Sequence, residues 1–166
     1  NLLSKYLLKI MGSPDIRQIN GIGGGTSVTS KVCIISKSLE KDVDVDYFFA
    51  QVEVDRNHVD YAPTCGNMLS ALGPFAIEEG LVEIHNEITQ VNVKSINTNA
   101  LITLDVLTPN RKLKYSGDFK IDGVPGTGSQ ILMNFKNLEG KSTGNLFPTG
   151  NTTDTFDGIN VTCFDL

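Results

Sequence analysis

The chain has 166 residues, 40% of them hydrophobic, with 14 basic against 19 acidic side chains, no Trp and 16 Gly. That length suits one globular domain with a real core, and the charge is too low for a disordered chain. A formal charge of −5 argues against a nucleic-acid binder, no apolar run reaches the roughly 18 residues of a membrane span, and Asn1-Leu2-Leu3-Ser4-Lys5 lacks the charged-then-apolar order of a signal peptide. The expectation is a soluble protein without nucleic-acid or membrane partners. A small anionic ligand needs only a local positive site and stays compatible with the sign.

From Leu2 to Met11, Leu3, Tyr6, Leu7 and Ile10 recur at helical spacing, and Gly12 with Pro14 supplies the stop. Next comes the glycine-rich stretch Asn20-Gly21-Ile22-Gly23-Gly24-Gly25-Thr26-Ser27, whose backbone is free to take positive φ. Lys31–Ile35 follows as a β-branched strand. Val43, Val45, Tyr47 and Phe49 alternate with Asp42, Asp44, Asp46 and Phe48, and the pattern runs on through Val52 and Val54, which predicts a long half-buried strand. Asn67–Leu81 is apolar almost all round and predicts a helix inside the protein, weakened or kinked by Pro74. Glu87–Ile96, Ala100–Leu107, Lys112–Ser116, Ile131–Phe135 and Ile159–Phe164 read as short strands between Asn, Gly and Pro turns. No internal repeat or linker interrupts the chain, so one domain of many strands around one buried helix is expected.

Several familiar patterns fail on inspection. Gly21-Ile22-Gly23-Gly24-Gly25-Thr26 has Thr where a dinucleotide fingerprint needs its last Gly, and it follows a polar stretch rather than a strand. Gly140-Lys141-Ser142 would close a phosphate-binding loop only with Gly in place of Phe135. Asp42, Asp44, Asp46 and Glu53 have calcium-loop spacing, but Tyr47 stands where the sharp turn needs Gly, so the aspartates read as a solvated strand face. His58 and His85 read as surface or turn residues, although His58 lies close enough in sequence to Cys65 for a nucleophilic pair to be conceivable. Two N-x-T sequons, at Asn151 and Asn160, lack a secretion signal and read as chance. Cys33, Cys65 and Cys163 make neither a disulfide framework nor a C-x-x-C pair, which suits a reducing cytoplasm and predicts no metal.

Two residues stand out. Pro63-Thr64-Cys65-Gly66-Asn67 opens the most buried helix, so the unpaired amides of its first turn lie beside the Cys65 sulfur, where they stabilise a thiolate or a ligand carboxylate. On that setting alone a structural and a functional thiol are equally compatible, whereas Cys33 and Cys163 lie in apolar strand runs and read as core. Lys31 begins an apolar strand just after the small polar run Gly24–Ser30. Its setting alone favours an ordinary strand-edge lysine; the alternative is a partly desolvated amine acting as a base near neutrality.

Taken together the strings resemble a family. Gly12-Ser13-Pro14-Asp15, Gln18-Ile19-Asn20-Gly21-Ile22-Gly23-Gly24-Gly25-Thr26-Ser27 with Thr29-Ser30-Lys31, Cys65-Gly66-Asn67, Asp122-Gly123-Val124-Pro125-Gly126-Thr127-Gly128 and Phe147-Pro148-Thr149-Gly150-Asn151 resemble, in order, the PrpF family of methylaconitate isomerases and related tautomerases. The resemblance implies an α+β fold like that of diaminopimelate epimerase: two similar halves, each a curved mixed sheet rolled around a central helix, with the site between them. It implies cofactor-independent proton transfer on small unsaturated di- or tricarboxylates. Lys31 and Cys65 match the positions to which the family's acid–base role is attributed, and Gly24, Gly25, Thr26, Ser27, Ser30, Gly66, Asn67 and Met68 are the expected substrate-binding residues.

The family normally begins with a further glycine-rich segment and continues into a second half. Residues 1–166 are therefore expected to be the N-terminal lobe of a two-lobed isomerase, with the C-terminal lobe of the same parent chain as its partner, an oligomer being compatible. Alone, the lobe is expected to fold, bind weakly and catalyse nothing. Two other functions stay open at this level: an amino-acid epimerase or racemase of the same fold, and a non-catalytic carboxylate-binding module.

Overall fold

The computed structural model describes residues 1–136, 144–147 and 149–162. They fall into two compact units, Asn1–Phe135 and Lys136–Leu166.

The first unit opens with helix α1, Leu2–Met11. Asn1 caps it by accepting the Ser4 N–H at 2.8 Å, and Gly12 ends it in the left-handed region at φ 87°. Leu7 and Met11 are buried against Ala50, Val52 and Val59. Tyr6 and Ile10, from the predicted apolar stripe, are 58% and 49% exposed. The helix rests on one strip of sheet, so only the edge of its stripe finds cover.

Strand β1 (Lys31–Lys37) pairs antiparallel with β2 (Val45–Val52), and β2 runs parallel to β4 (Ile88–Ser95). Parallel neighbours need a crossover, and the chain supplies it through the short β3 (Val59–Asp60) and helix α2 (Gly66–Glu78). Strand β5 (Leu101–Leu107) pairs antiparallel with β4, and β6 (Ile131–Lys136) completes the mixed sheet in the order β1-β2-β4-β5-β6, with β3 beside β2. Val45, Tyr47 and Phe49 on β2, Val91 and Val93 on β4, and Ile102, Leu104 and Val106 on β5 form one face of a core with Leu69, Leu72, Ala76 and Ile77 of α2.

Helix α2 is buried on its sheet side only. Ala71 and Phe75 face outward, Phe75 at 45% exposure, so the predicted all-round burial holds for just part of the helix. Pro74 sits inside the helix at a buried position without ending it. Gly73 allows the close approach to β5, since a Cβ there would lie 2.7 Å from Val106 Cγ2.

Two strand expectations need correction. Lys112–Ser116 forms no strand, because a 3-10 turn at Pro109–Arg111, with Asn110 and Arg111 both at positive φ, turns the chain first. Beyond that turn the backbone bonds include Lys114 N–H to Leu107 O at 3.1 Å and Ser129 N–H to Tyr115 O at 2.8 Å, without a strand ladder through Lys112–Ser116. The aspartate face is also less solvated than expected: Asp44 and Asp46 are half-buried, and Asp44 Oδ2 accepts the Asn92 N–H at 2.8 Å. His58 and His85 are exposed.

The second unit contains a hairpin of β7 (Thr153–Phe156) and β8 (Ile159–Thr162). Asp157 and Gly158 between them take φ 49° and 80°, which matches the twist of the flanking strands. Cys163, the end of the predicted Ile159–Phe164 strand, the Gly140-Lys141-Ser142 string and Pro148 lie outside the described residues.

Candidate active site

Two elements carry the candidate catalytic pair. Lys31 is the first residue of β1, and Cys65 is the N-cap of α2. Lys31 Nζ donates to Cys65 Sγ at 3.3 Å, with both residues half-buried. Cys65 is extended, at φ −139° and ψ 111°, and its side chain caps no amide of the helix, so the sulfur is left to Lys31. Gly66, Asn67 and Met68 form the first helical turn, whose amides have no intrahelical acceptors and carry the positive end of the helix dipole.

Neighbouring side chains fix this arrangement from below. Tyr47, fully buried on β2, donates its hydroxyl to the Cys65 carbonyl at 3.2 Å; that carbonyl also accepts the Leu69 N–H at 3.0 Å. Burial, with smaller contributions from the Cys33 and Cys65 sulfurs, pushes the Tyr47 phenol up, so it remains a proton donor. Cys33 is a free thiol two residues along β1 from Lys31, and burial, with the nearby Cys65, pushes it up to about 12. It lines an apolar hollow of about 260 Å³ with Ile35, Met68, Ala71, Leu72 and Phe75.

The remaining predicted site residues fall into three settings. Gly66 and Asn67 are exposed at the α2 terminus, and a Cβ on Gly66 would meet nothing within 4 Å, so packing within this chain does not explain its small size. Met68 is half-buried and belongs to the apolar hollow. Gly24, Thr26 and Ser27 are exposed in the glycine-rich turn. Gly25, Thr26 and Ser27 line, with Gln51 and Arg56, a separate hollow of about 410 Å³ that includes neither Lys31 nor Cys65. Ser30 is fully buried, its hydroxyl accepting from Gln18 Nε2 at 2.7 Å.

Gln51, opposite Lys31 in the β1–β2 register, ties the turn to the sheet by donating to the carbonyls of Ser27 and Ser30 at 2.9 and 3.0 Å. Gln18 heads the glycine-rich string without being singled out as a site residue, and Tyr47 and Gln51 lie in no motif. The glycine density around Gln18, read from sequence as freedom to take positive φ, is the one signal that could have pointed to it.

A larger hollow of about 900 Å³, lined in part by Lys37, Asp44, Glu83, His85 and Asp105, contains neither member of the pair. Among the described residues, no group of three or more His, Cys, Asp or Glu side chains is placed to hold a metal ion. No helix among them is long and apolar enough to cross a membrane.

The geometry can be set beside known proteins. The chain is 48% identical over 164 residues to the 4-oxalomesaconate tautomerase of Pseudomonas putida, covering 99% of this chain and 45% of that one. It is 46% identical over 153 residues to the 3-methylitaconate isomerase of Eubacterium barkeri, covering 92% of this chain and 40% of that one. The fold matches the crystal structure of methylitaconate-delta-isomerase with a TM-score of 0.85 and 44% sequence identity, over 96% of this chain and 42% of that one. The architecture is thus the expected α+β one, a mixed sheet packed on a central helix as in the diaminopimelate epimerase-like fold. The chain spans less than half the length of the curated relatives it matches. The family model described as PrpF protein matches residues 1–166, and the chain belongs to the PrpF family.

Proposed function

We propose that this chain supplies one lobe of a cofactor-independent isomerase that moves a proton within small unsaturated di- or tricarboxylates of the methylitaconate, methylaconitate and oxalomesaconate type. The observation that carries this reading is the 3.3 Å contact between Lys31 and Cys65 at the open end of α2. Base and acid meet at the N-cap of α2, next in the chain to the free amides of its first turn.

The chemistry follows from that placement. Lys31, as the free amine, takes a proton from the carbon beside the activated double bond, and the electron pair left behind spreads into a dienolate-like anion. The amides of Gly66, Asn67 and Met68 face the developing charge, each worth about 2.7–4 kcal/mol by comparison with an oxyanion hole. The exposed Gly24, Thr26 and Ser27, which lie in the turn outside the hollow beside the pair, are the candidates for holding a second carboxylate. Cys65 returns a proton at the other end of the allylic system and becomes a thiolate. Transfer of the proton from the Lys31 ammonium across the direct contact to the Cys65 sulfur then restores both groups, so each turnover is balanced without a co-reactant. A C-terminal lobe of the parent chain closes the cleft over the substrate. The two described cysteines are free thiols, which suits a cytoplasmic enzyme.

The test is proton exchange by the full-length protein in deuterated water, followed by NMR with methylitaconate, 2-methylaconitate, oxalomesaconate and diaminopimelate supplied separately. Deuterium entering an unsaturated carboxylate together with its isomerisation is the expected result. Exchange confined to diaminopimelate would identify an amino-acid epimerase instead, and binding without exchange a non-catalytic module.

A further inference from the structure

Gln18 is a polar side chain only 1% exposed, and nothing in the chemistry above uses it. Its Nε2 donates to Ser30 Oγ at 2.7 Å and to Ser13 Oγ at 3.1 Å, while its Oε1 accepts the Gly25 N–H at 3.0 Å. Three separate segments therefore meet on one amide: the turn after α1, the glycine-rich loop, and the residue that immediately precedes Lys31.

The surroundings are shaped to admit it. The Gln18 backbone has φ 47°, a left-handed conformation that costs a residue with a Cβ free energy and persists only where its neighbours hold it. A Cβ on Gly23 would lie 2.1 Å from Gln18 Oε1, and one on Gly12 would lie 2.8 Å from the Gln18 carbonyl oxygen. Two glycines of the motif thus make room for Gln18 rather than for a ligand, and the Gly25 amide is spent inward. Ser30 is in turn fastened to β2, its carbonyl accepting from Val52 N–H and Gln51 Nε2, both at 3.0 Å.

We propose that Gln18 is a positioning residue for the proton-transfer pair: by tying Ser30 and the glycine-rich turn to one buried amide, it fixes where Lys31 leaves the sheet and keeps it in contact with Cys65. The proposal rests on the proton-transfer reading of Lys31. A displacement of a reacting group by about 1 Å can cost ~100-fold in rate, so a loosened Ser30 acts mainly on kcat. Gln51 holds Ser27 independently of Gln18, which leaves the exposed part of the turn, and hence KM, less affected.

The experiment uses the full-length protein, with fold checked by near-UV circular dichroism and a thermal melt for every variant. Gln18→Met keeps the chain length but leaves Ser30 Oγ and Gly25 N–H without their partner; kcat is expected to fall about tenfold or more, by a larger factor than KM rises. Gln18→Glu keeps two oxygens in the places of the amide atoms, and the Ser13 and Ser30 hydroxyls can turn to donate to it. It should therefore recover several-fold in kcat over Gln18→Met even though it buries a charge and melts lower. Ser30→Ala removes the 2.7 Å bond from the other side, and combined with Gln18→Met it should add little further loss. A wild-type kcat in folded Gln18→Met, activities that follow the order of the melting temperatures, or fully additive losses would each overturn the proposal. Lys31→Ala, run beside them, separates the two levels: undiminished exchange in that variant would remove the underlying reading, whereas loss there with full activity in Gln18→Met removes only the role of Gln18.

Discussion

Lys31 and Cys65 stand 34 positions apart in the chain and 3.3 Å apart in space. Two buried side chains hold the backbone beside them: Tyr47 donates to the Cys65 carbonyl, and Gln18 donates to the hydroxyl of Ser30, the residue before Lys31. Cys33, although close by on β1, is different in kind. Burial keeps its thiol protonated up to about 12 against an ordinary value of 9.0, so it is poorly suited to act as a nucleophile near neutrality. The same shift has a consequence for stability. Between those two values the unfolded thiol has lost its proton and the folded one has not, so the folded state binds more protons and stability falls as pH rises. The contribution is complete below pH 9 and is lost through the alkaline range up to about 12. Thermal melts of the wild type and Cys33→Ala from pH 8 to 11 should show a shallower alkaline decline in the variant; identical slopes would contradict the assignment.

At the scale of elements, α2 is what brings the site together, because its N-terminus presents Cys65 while its far side fills the core of the sheet. Its seat on β5 is tight at Gly73. Gly73→Ala would place a methyl 2.7 Å from Val106 Cγ2, and the overpacking should cost about 1–3 kcal/mol despite the better helix propensity of Ala. Urea unfolding measures this, and a more stable variant would mean that the helix can shift freely. Helix α2 was legible in the sequence because its apolar density is high and Gly66 and Gly80 bracket it. Strand β2 was legible through the Val45, Tyr47, Phe49 alternation. Which side of α2 meets the sheet was not, since Ala71 and Phe75 have the same apolar character as Leu72 and Ala76, and only tertiary packing separates them. Strand β7 left a usable signal in Asp157-Gly158, a strong hairpin dipeptide, whereas Lys112–Ser116 looked like a strand until the left-handed Asn110 and Arg111 redirected the chain.

For the molecule as a whole, the −5 charge describes a surface, while the candidate site is a local cluster of donors made of the Lys31 nitrogen and a turn of helix amides. That combination suits a polycarboxylate, which must be drawn in by short-range donors rather than by the net field. The glycine-rich stretch, which resembles a nucleotide loop in composition, is spent largely on close packing around Gln18 and Thr29. Composition alone could not separate those uses, since both need a backbone without Cβ atoms. The most direct test of the proton-transfer assignment is deuterium incorporation into methylitaconate or 2-methylaconitate by the full-length protein, compared among wild type, Lys31→Ala and Cys65→Ala with all three verified as folded. If Lys31 and Cys65 carry the proton, both variants lose exchange by about 100-fold or more, the range expected for removal of a general acid or base; exchange persisting at the wild-type rate in folded Lys31→Ala would contradict it.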